Sequence, residues 1–595
     1  MNQDRIFFSL NIFLLLTITI LLSAVFIDGK GGDYAYFLPK MLDTHFFYKL
    51  NGLTLQEYTA AYCGGIFVFA NPQSISLSIP QMLLFFLDPV NSIRVTYIFS
   101  NLVGMLGFFL VSREYGLTKS SALFSSAIFS LSAFLIVRMI VGHVAFYSIT
   151  FAPIVAYFLI FANKKISAKK YIDSSFLLVI ASFVVSYVLY SGIAAVFPHF
   201  VYIFILLVAI YGLKNKQVLI SLLTIFLVLS LSFFLALPKI EASYSLVNNI
   251  PRDFYQLGGF SNFLDIFAYL FSSIFLIPDV EYTNSLFATK NYLVGFPELT
   301  YSVSPFFFMV LTLILLKKVR KKFIQIVQRN KWVFIVSLAS FAMVVSFHFY
   351  NPQWINFLNS IPVIGQSSSM FRWNYILIPI ISLLGGVIHN IWSTSEQMRS
   401  FFITLYIVLS SAFLYLSLDK VSEMSFYDPH HIVKAWESSK QDNVVIPEIN
   451  SIGLFQEKDK NGNIKIHHAP HYDKLFIKGI SNAMCYEPLF GYRLEKSNMW
   501  KLNPGDIFKK DSREKLNFNN PSCYVYPQEN FCKAGDRFRD SEKDLLTKLA
   551  SRDPVSFKYS KTRILSNDIA LWTLLLSIII LLFKPIMLVI NLWKK

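Results

Sequence analysis

The chain has 595 residues, 54% of them hydrophobic and 17% aromatic, with only 15% charged and a formal net charge of +17. An average soluble domain is roughly 25% charged, so this composition excludes an ordinary soluble enzyme and describes an integral membrane protein. The excess lysine and arginine lies in short, scattered loops, an arrangement that excludes nucleic-acid binding as its purpose.

Apolar runs suited to a ~30 Å hydrocarbon core need about 20 residues each, and about twelve are predicted. They lie at 6–27, 91–112, 120–138, 145–162, 172–190, 198–213, 217–236, 301–316, 332–349, 374–392, 400–418 and 568–590. Two shorter amphipathic or re-entrant candidates lie near 75–87 and 263–277. The first run is too long for the apolar core of a signal peptide and no small-residue cleavage site follows it, so it reads as a membrane anchor. Numbered from a cytoplasmic N-terminus, the runs put Lys164, Lys165, Lys169, Lys170, Lys214 and Lys216 inside, as they do the basic cluster 317–322, Arg399, Lys594 and Lys595. Lysine and arginine in short loops mark the cytoplasmic side, and every cluster agrees with that numbering.

The predicted fold is therefore an all-α polytopic membrane protein of about 12 transmembrane helices. A membrane module, 1–419, precedes a soluble extracytoplasmic domain, 420–563, and a closing helix within 564–595. The outer face carries the loops 28–90, 237–300 and 350–372. Short strand-like runs in the soluble domain, NVVIPEI and IKIHHA, sit between Asn, Gly and Pro clusters and suggest a small α/β or mostly β fold.

All four cysteines, Cys63, Cys485, Cys523 and Cys532, fall outside in this topology. Eight residues separate Cys523 from Cys532, and an oxidising compartment favours a small disulfide-closed loop there. A zinc site would need a second Cys or His pair at ligand spacing, and none is present.

Ionisable groups at a membrane boundary are costly to desolvate and mark substrate paths. The first outer loop opens GKGGDYAYFLPKM, Gly29–Met41, with Asp33 behind Gly31 and Gly32. An acid just past a span also serves as a plain helix cap. His143, in VGHVAF, sits at a helix entrance, where a hydrogen-bonded interfacial histidine is the simpler alternative. Arg372 enters the tenth predicted span and is placed to snorkel or to bind. With Lys239 and Arg252 it supplies cations on the side where Asp33 supplies a carboxylate. A base beside a cationic group suits a negatively charged lipid headgroup.

Several segments occur in an order that resembles a known family. They are GGDYAYFLP after the first span, the GGIFVFANPQ turn, REYGLTKSSALFSSAIFSLSAF leading to GHVAFYSITFAPI, PKIEASYSLVNNIPR, NYLVGFPEL and SMFRWNYI. Over residues 1–392 the chain is similar to the GT-C superfamily of polyprenyl-phosphate-sugar-dependent glycosyltransferases, and within it to YfhO-like bacterial membrane proteins. The resemblance implies a glycosyltransferase of the bacterial cytoplasmic membrane, taking a sugar from a polyprenyl-phosphate carrier on the outer face. It implies Asp33 as catalytic base, Glu57 and Glu241 as secondary polar positions, and Arg372 beside the donor phosphate, where Lys239 and Arg252 would supply further cations. The acceptor it implies is a bacterial surface polysaccharide, such as lipopolysaccharide O-antigen or a teichoic-type polymer, rather than protein. Some members use a divalent metal with two acids; no DxD is present here, so magnesium or manganese stays open and no metal ligand is assigned. A lipid-phosphate donor requires no nucleotide, and no Rossmann or P-loop signature occurs. The competing readings are a flippase or transporter of lipid-linked glycans, expected to carry midplane charges and internal repeats, and a glycan polymerase, expected to carry arginine-rich outer loops.

Overall fold

The computed structural model describes residues 3–593 apart from 251–256, 290–291, 362–363, 366, 368, 393–394, 423–426, 442–444, 454–455, 459–463, 467–472, 484–486 and 488–501. Arg252, a predicted site residue, lies outside the described residues. Among those described, 11 helices are long and apolar enough to cross a membrane. They are Arg5–Phe26, Pro89–Glu114, Lys119–Val141, Val144–Ser167, Tyr171–Tyr190, Phe197–Lys214, Val218–Asn249, Lys331–His348, Met370–Ile391, Glu396–Asp419 and Lys561–Lys584. The chain is a mostly helical, multi-pass membrane protein.

Lys119–Val141 is the central helix, and small residues let it pack closely. Ser125 Oγ donates to Ser382 O at 2.6 Å, and Gly385 and Gly386 leave room for Ile128 and Ser125. Close packing through small residues replaces the hydrophobic effect as the force between helices in lipid. Val218–Asn249 has 32 residues and is about 48 Å long. It exceeds the hydrocarbon core, so its end beyond Pro238 projects from the membrane and carries Lys239, Glu241 and Asn249.

One predicted span is not a long helix. Across 301–316 the chain is non-helical from Tyr301 to Ser304, with Ser304 at φ +88°, then helical over Phe307–Thr312 and Leu313–Leu315. Pro305 lacks the N–H that a helix through this point would use. The non-helical residues bond sideways instead: Tyr301 N–H to Ser273 O at 3.1 Å, Val303 N–H to Ile274 O at 2.7 Å, and Ala133 N–H to Ser302 O at 2.7 Å. All four are buried, which is the condition for irregular backbone at membrane depth. The shorter candidates become the helices Phe263–Phe275 and Ile79–Leu83.

Between 427 and 560 the described elements are short. Ser451–Gly453 pairs in parallel with Ile480–Asn482 and antiparallel with Gly505–Asp506, while Lys515–Asn519 pairs antiparallel with Arg537–Arg539. IKIHHA supplies the strand Ile464–Ile466. In NVVIPEI the described residues 445–449 form no strand, since Pro447 cannot donate to a ladder. These elements rest on the first long loop. Arg552 Nε donates to Asp43 Oδ1 at 2.9 Å with both side chains buried, and Asn519 N–H donates to Gly64 O at 2.7 Å. Trp436 Nε1 donates to Leu84 O at 2.9 Å.

Candidate functional site

Two glycines bring the first loop against the helix pair that follows it. A Cβ on Gly31 would sit 2.6 Å from Val141 Cα, and Gly142 has φ +96°, a left-handed conformation that glycine adopts without a steric penalty. The two backbones touch, and Asp33 N–H donates to Val141 O at 3.0 Å. Asp33 precedes the helix Tyr34–Asn51, and His143 begins the turn Val144–Phe151. Their side chains meet, with His143 Nε2 2.6 Å from Asp33 Oδ2.

The imidazole is oriented from behind. Arg138 Nη1 lies 3.0 Å from His143 Nδ1. A guanidinium only donates, so Nδ1 accepts and the ring proton sits on Nε2, pointing at Asp33. Arg138 in turn donates Nη1 to Glu298 Oε1 at 2.9 Å and Nη2 to Glu298 Oε2 at 3.2 Å. Arg372 reaches the same carboxylate with Nε at 3.0 Å and Nη2 at 2.6 Å. Phe146 lies under all three groups: the Arg138 and Arg372 guanidiniums are 4.9 and 5.4 Å from its ring centre, and the His143 ring stacks at 5.1 Å.

The site is thus a chain of contacts, Asp33 to His143 to Arg138 to Glu298 to Arg372, that starts at exposed Asp33, passes through buried Arg138 and returns to partly exposed Glu298 and Arg372. Asp33 is 39% exposed in its side chain and Arg138 is 0% exposed. Burial alone would raise the Glu298 carboxyl, but the Arg138 and Arg372 guanidiniums overcome it and hold the group well below the usual carboxylate range. Two guanidiniums against one carboxylate leave the Glu298 end net positive.

Of the predicted residues, Asp33, His143 and Arg372 are brought together. Glu57, Lys239 and Glu241 join a different cluster. Arg563 pairs with Glu57 at 3.0 Å, and burial pushes the Glu57 carboxyl up against the opposing pull of Arg563 and Lys239. Lys239 Nζ donates to Phe69 O at 2.5 Å and Asn71 O at 2.7 Å, pinning the GGIFVFANPQ turn. Glu241 accepts from Tyr526 at 2.9 Å, Ser560 at 2.8 Å and Thr562 at 2.9 Å. This second cluster clamps the outer loop to the closing helix, and its acids are committed to structural partners.

Sequence reasoning missed Arg138 and Glu298. The signal was present, since Arg138 is the one charged residue in an apolar stretch, SLSAFLIVRMIVGH. Cys523 and Cys532 are joined in a disulfide; Cys63 is disulfide-bonded as well, which the even cysteine count permitted. Among the described residues, no three His, Cys, Asp or Glu side chains gather as a metal-binding group. No protein-family profile and no curated protein matches the chain.

Proposed function

We propose that the protein is a membrane glycosyltransferase of the GT-C kind, moving a sugar from a polyprenyl-phosphate carrier to a cell-surface glycan such as O-antigen. In this reading the reaction occurs at the extracytoplasmic face of a bacterial cytoplasmic membrane, both termini are cytoplasmic, and 420–563 is an extracytoplasmic domain covering the first loop. The observation that supports it most is the half-exposed Asp33 carboxylate, gripped on one oxygen by an imidazole that Arg138 orients.

Such a carboxylate is suited to take the proton of an acceptor hydroxyl. The acceptor oxygen then attacks the anomeric carbon, the bond from that carbon to the phosphate oxygen breaks, and its electron pair leaves on the lipid phosphate with inversion. Arg372, at the net positive end, stabilises that developing charge. His143 keeps Asp33 aimed by donating Nε2–H to its Oδ2.

The test is transfer in membrane vesicles supplied with polyprenyl-phosphate sugars and the native glycan. Asp33→Asn should slow transfer by roughly 10²–10⁴-fold while the protein still inserts and binds donor. Arg372→Ala should weaken donor binding as well as rate. Unchanged transfer by well-inserted Asp33→Asn would reduce the acid to a helix cap.

A further inference from the structure

The helix Lys317–Arg329 lies outside this site, between the 301–316 segment and the span Lys331–His348. At 100° per residue, Val319, Phe323, Ile326 and Val327 share one face. They are buried or half-buried against the protein. Lys317, Lys318, Arg320, Lys321, Lys322 and Arg329 occupy the rest of the circumference and are exposed. The helix contains no acid.

Some cations near the same side have carboxylate partners, Lys164 with Glu114 at 2.8 Å, Lys584 with Asp173 at 2.9 Å and Arg399 with Glu396 at 3.0 Å, while Lys169, Lys170, Lys214 and Lys216 are scattered singly or in pairs and do not form one continuous basic surface. Among the described residues, the six cations of this helix have no carboxylate partner. The flanks set its depth. Leu315 and Leu316 at one end are 77% and 48% exposed, and Trp332 at the other is 59% exposed, with Lys331 Nζ 5.7 Å from its ring centre. Exposed leucines adjoining a crossing segment face lipid, and tryptophan marks the headgroup level. Both ends of the helix therefore lie at the interface, and its roughly 20 Å run along the membrane surface.

We infer that Lys317–Arg329 is a docking surface for anionic phospholipid headgroups of the cytoplasmic leaflet, binding their phosphates through cations that the protein leaves unneutralised. Topology alone needs the charges but not their display along one interfacial helix. Anionic lipid supplies the missing counter-charge, and the attraction falls off within a Debye length.

Full-length protein is reconstituted in phosphatidylcholine vesicles containing a trace of spin-labelled phosphatidylglycerol or phosphatidylcholine, and the fraction of each label immobilised at the protein is read by electron paramagnetic resonance. Phosphatidylglycerol should be held about 3-fold more, with the preference shrinking as salt rises from about 0.05 to about 0.5 M. The variant K317Q/K318Q/K321Q/K322Q keeps Arg320, Arg329 and helix propensity and should lose most of the preference, while K164Q/K165Q should retain it. Wild-type selectivity in the quadruple variant would overturn the inference. So would a preference abolished by sodium phosphate but not by chloride at equal ionic strength, which would indicate a free-phosphate site. If the variant does not insert, the wild-type salt series decides, since a flat response rejects an electrostatic lipid site.

Discussion

A guanidinium with no exposed surface needs a carboxylate, and Arg138 shares Glu298 with Arg372. Removing one partner of a buried charge group leaves the others uncompensated, so Glu298→Gln should cost about 3–5 kcal/mol, read as thermal unfolding in detergent. The pH dependence follows from the depressed carboxyl of Glu298. Its stabilisation is present above the unfolded carboxyl value of about 4.3 and is lost as pH falls below it toward the folded value. The wild-type protein should therefore lose stability on the acid side more steeply than Glu298→Gln. The glycines before Asp33 make a sharper pair. A Cβ on Gly31 collides with the 140–141 backbone, whereas one on Gly32 meets nothing within 4 Å. Gly31→Ala should separate Asp33 from His143, destabilise by about 1–3 kcal/mol and lower transfer with it; Gly32→Ala should stay within about 0.5 kcal/mol of wild type. Asp33, His143 and Arg372 were legible because each is polar at the end of an apolar run. Which acids would meet which bases was not legible, because Glu298 and Arg138 are 160 residues apart and no local spacing couples them.

Long helices were legible from apolar length alone, since a run of ~20 residues in lipid has only helical bonding available. The 301–316 element misled because the apolar run 305–316 hides how it begins: residues 301–304, YSVS, are enclosed by protein and bonded to Ser273 O and Ile274 O instead of continuing a helix. The Cys523–Cys532 loop was legible from compartment and spacing. Its chain leads through Tyr526 to Glu241 and through Val525 O to Asn249 at 2.9 Å, so the disulfide braces the contact between this loop and the projecting end of Val218–Asn249. Replacing both cysteines by serine should cost roughly 2–3 kcal/mol on loop-closure grounds. Limited proteolysis should then cut near 523–532 faster than in the wild-type protein. Equal cutting would mean that packing of the buried Tyr524 and Val525 holds the loop without the bond.

At the scale of the whole molecule, parity decides how the chain is threaded. The region after 427 packs on the first loop through Arg552 to Asp43, Asn519 to Gly64 and Trp436 to Leu84, so both lie on one side of the membrane. An even number of crossings must then connect residue 88 to residue 420. Of the 11 long helices, the first and last fall outside that interval, leaving 11 − 2 = 9, an odd number. A tenth crossing is required, and Phe263–Phe275, at 13 residues and about 20 Å, is too short. The 301–316 segment is the longer candidate. Four non-helical residues at no more than about 3.3 Å and nine helical ones at about 1.5 Å span at most roughly 27 Å, close to the ~30 Å thickness of the hydrocarbon core. It also runs beside the span Met370–Ile391, since Phe307 lies against Gly385. Single cysteines introduced at Lys164, Lys322 and Lys510, with the native disulfides intact, test this threading through a membrane-impermeant thiol reagent applied to intact cells. Lys510 should be labelled, and Lys164 and Lys322 protected until the membrane is opened. Labelling of Lys322 together with Lys510 would mean that 301–316 turns back without crossing, and the even count would then have to be met elsewhere in the chain.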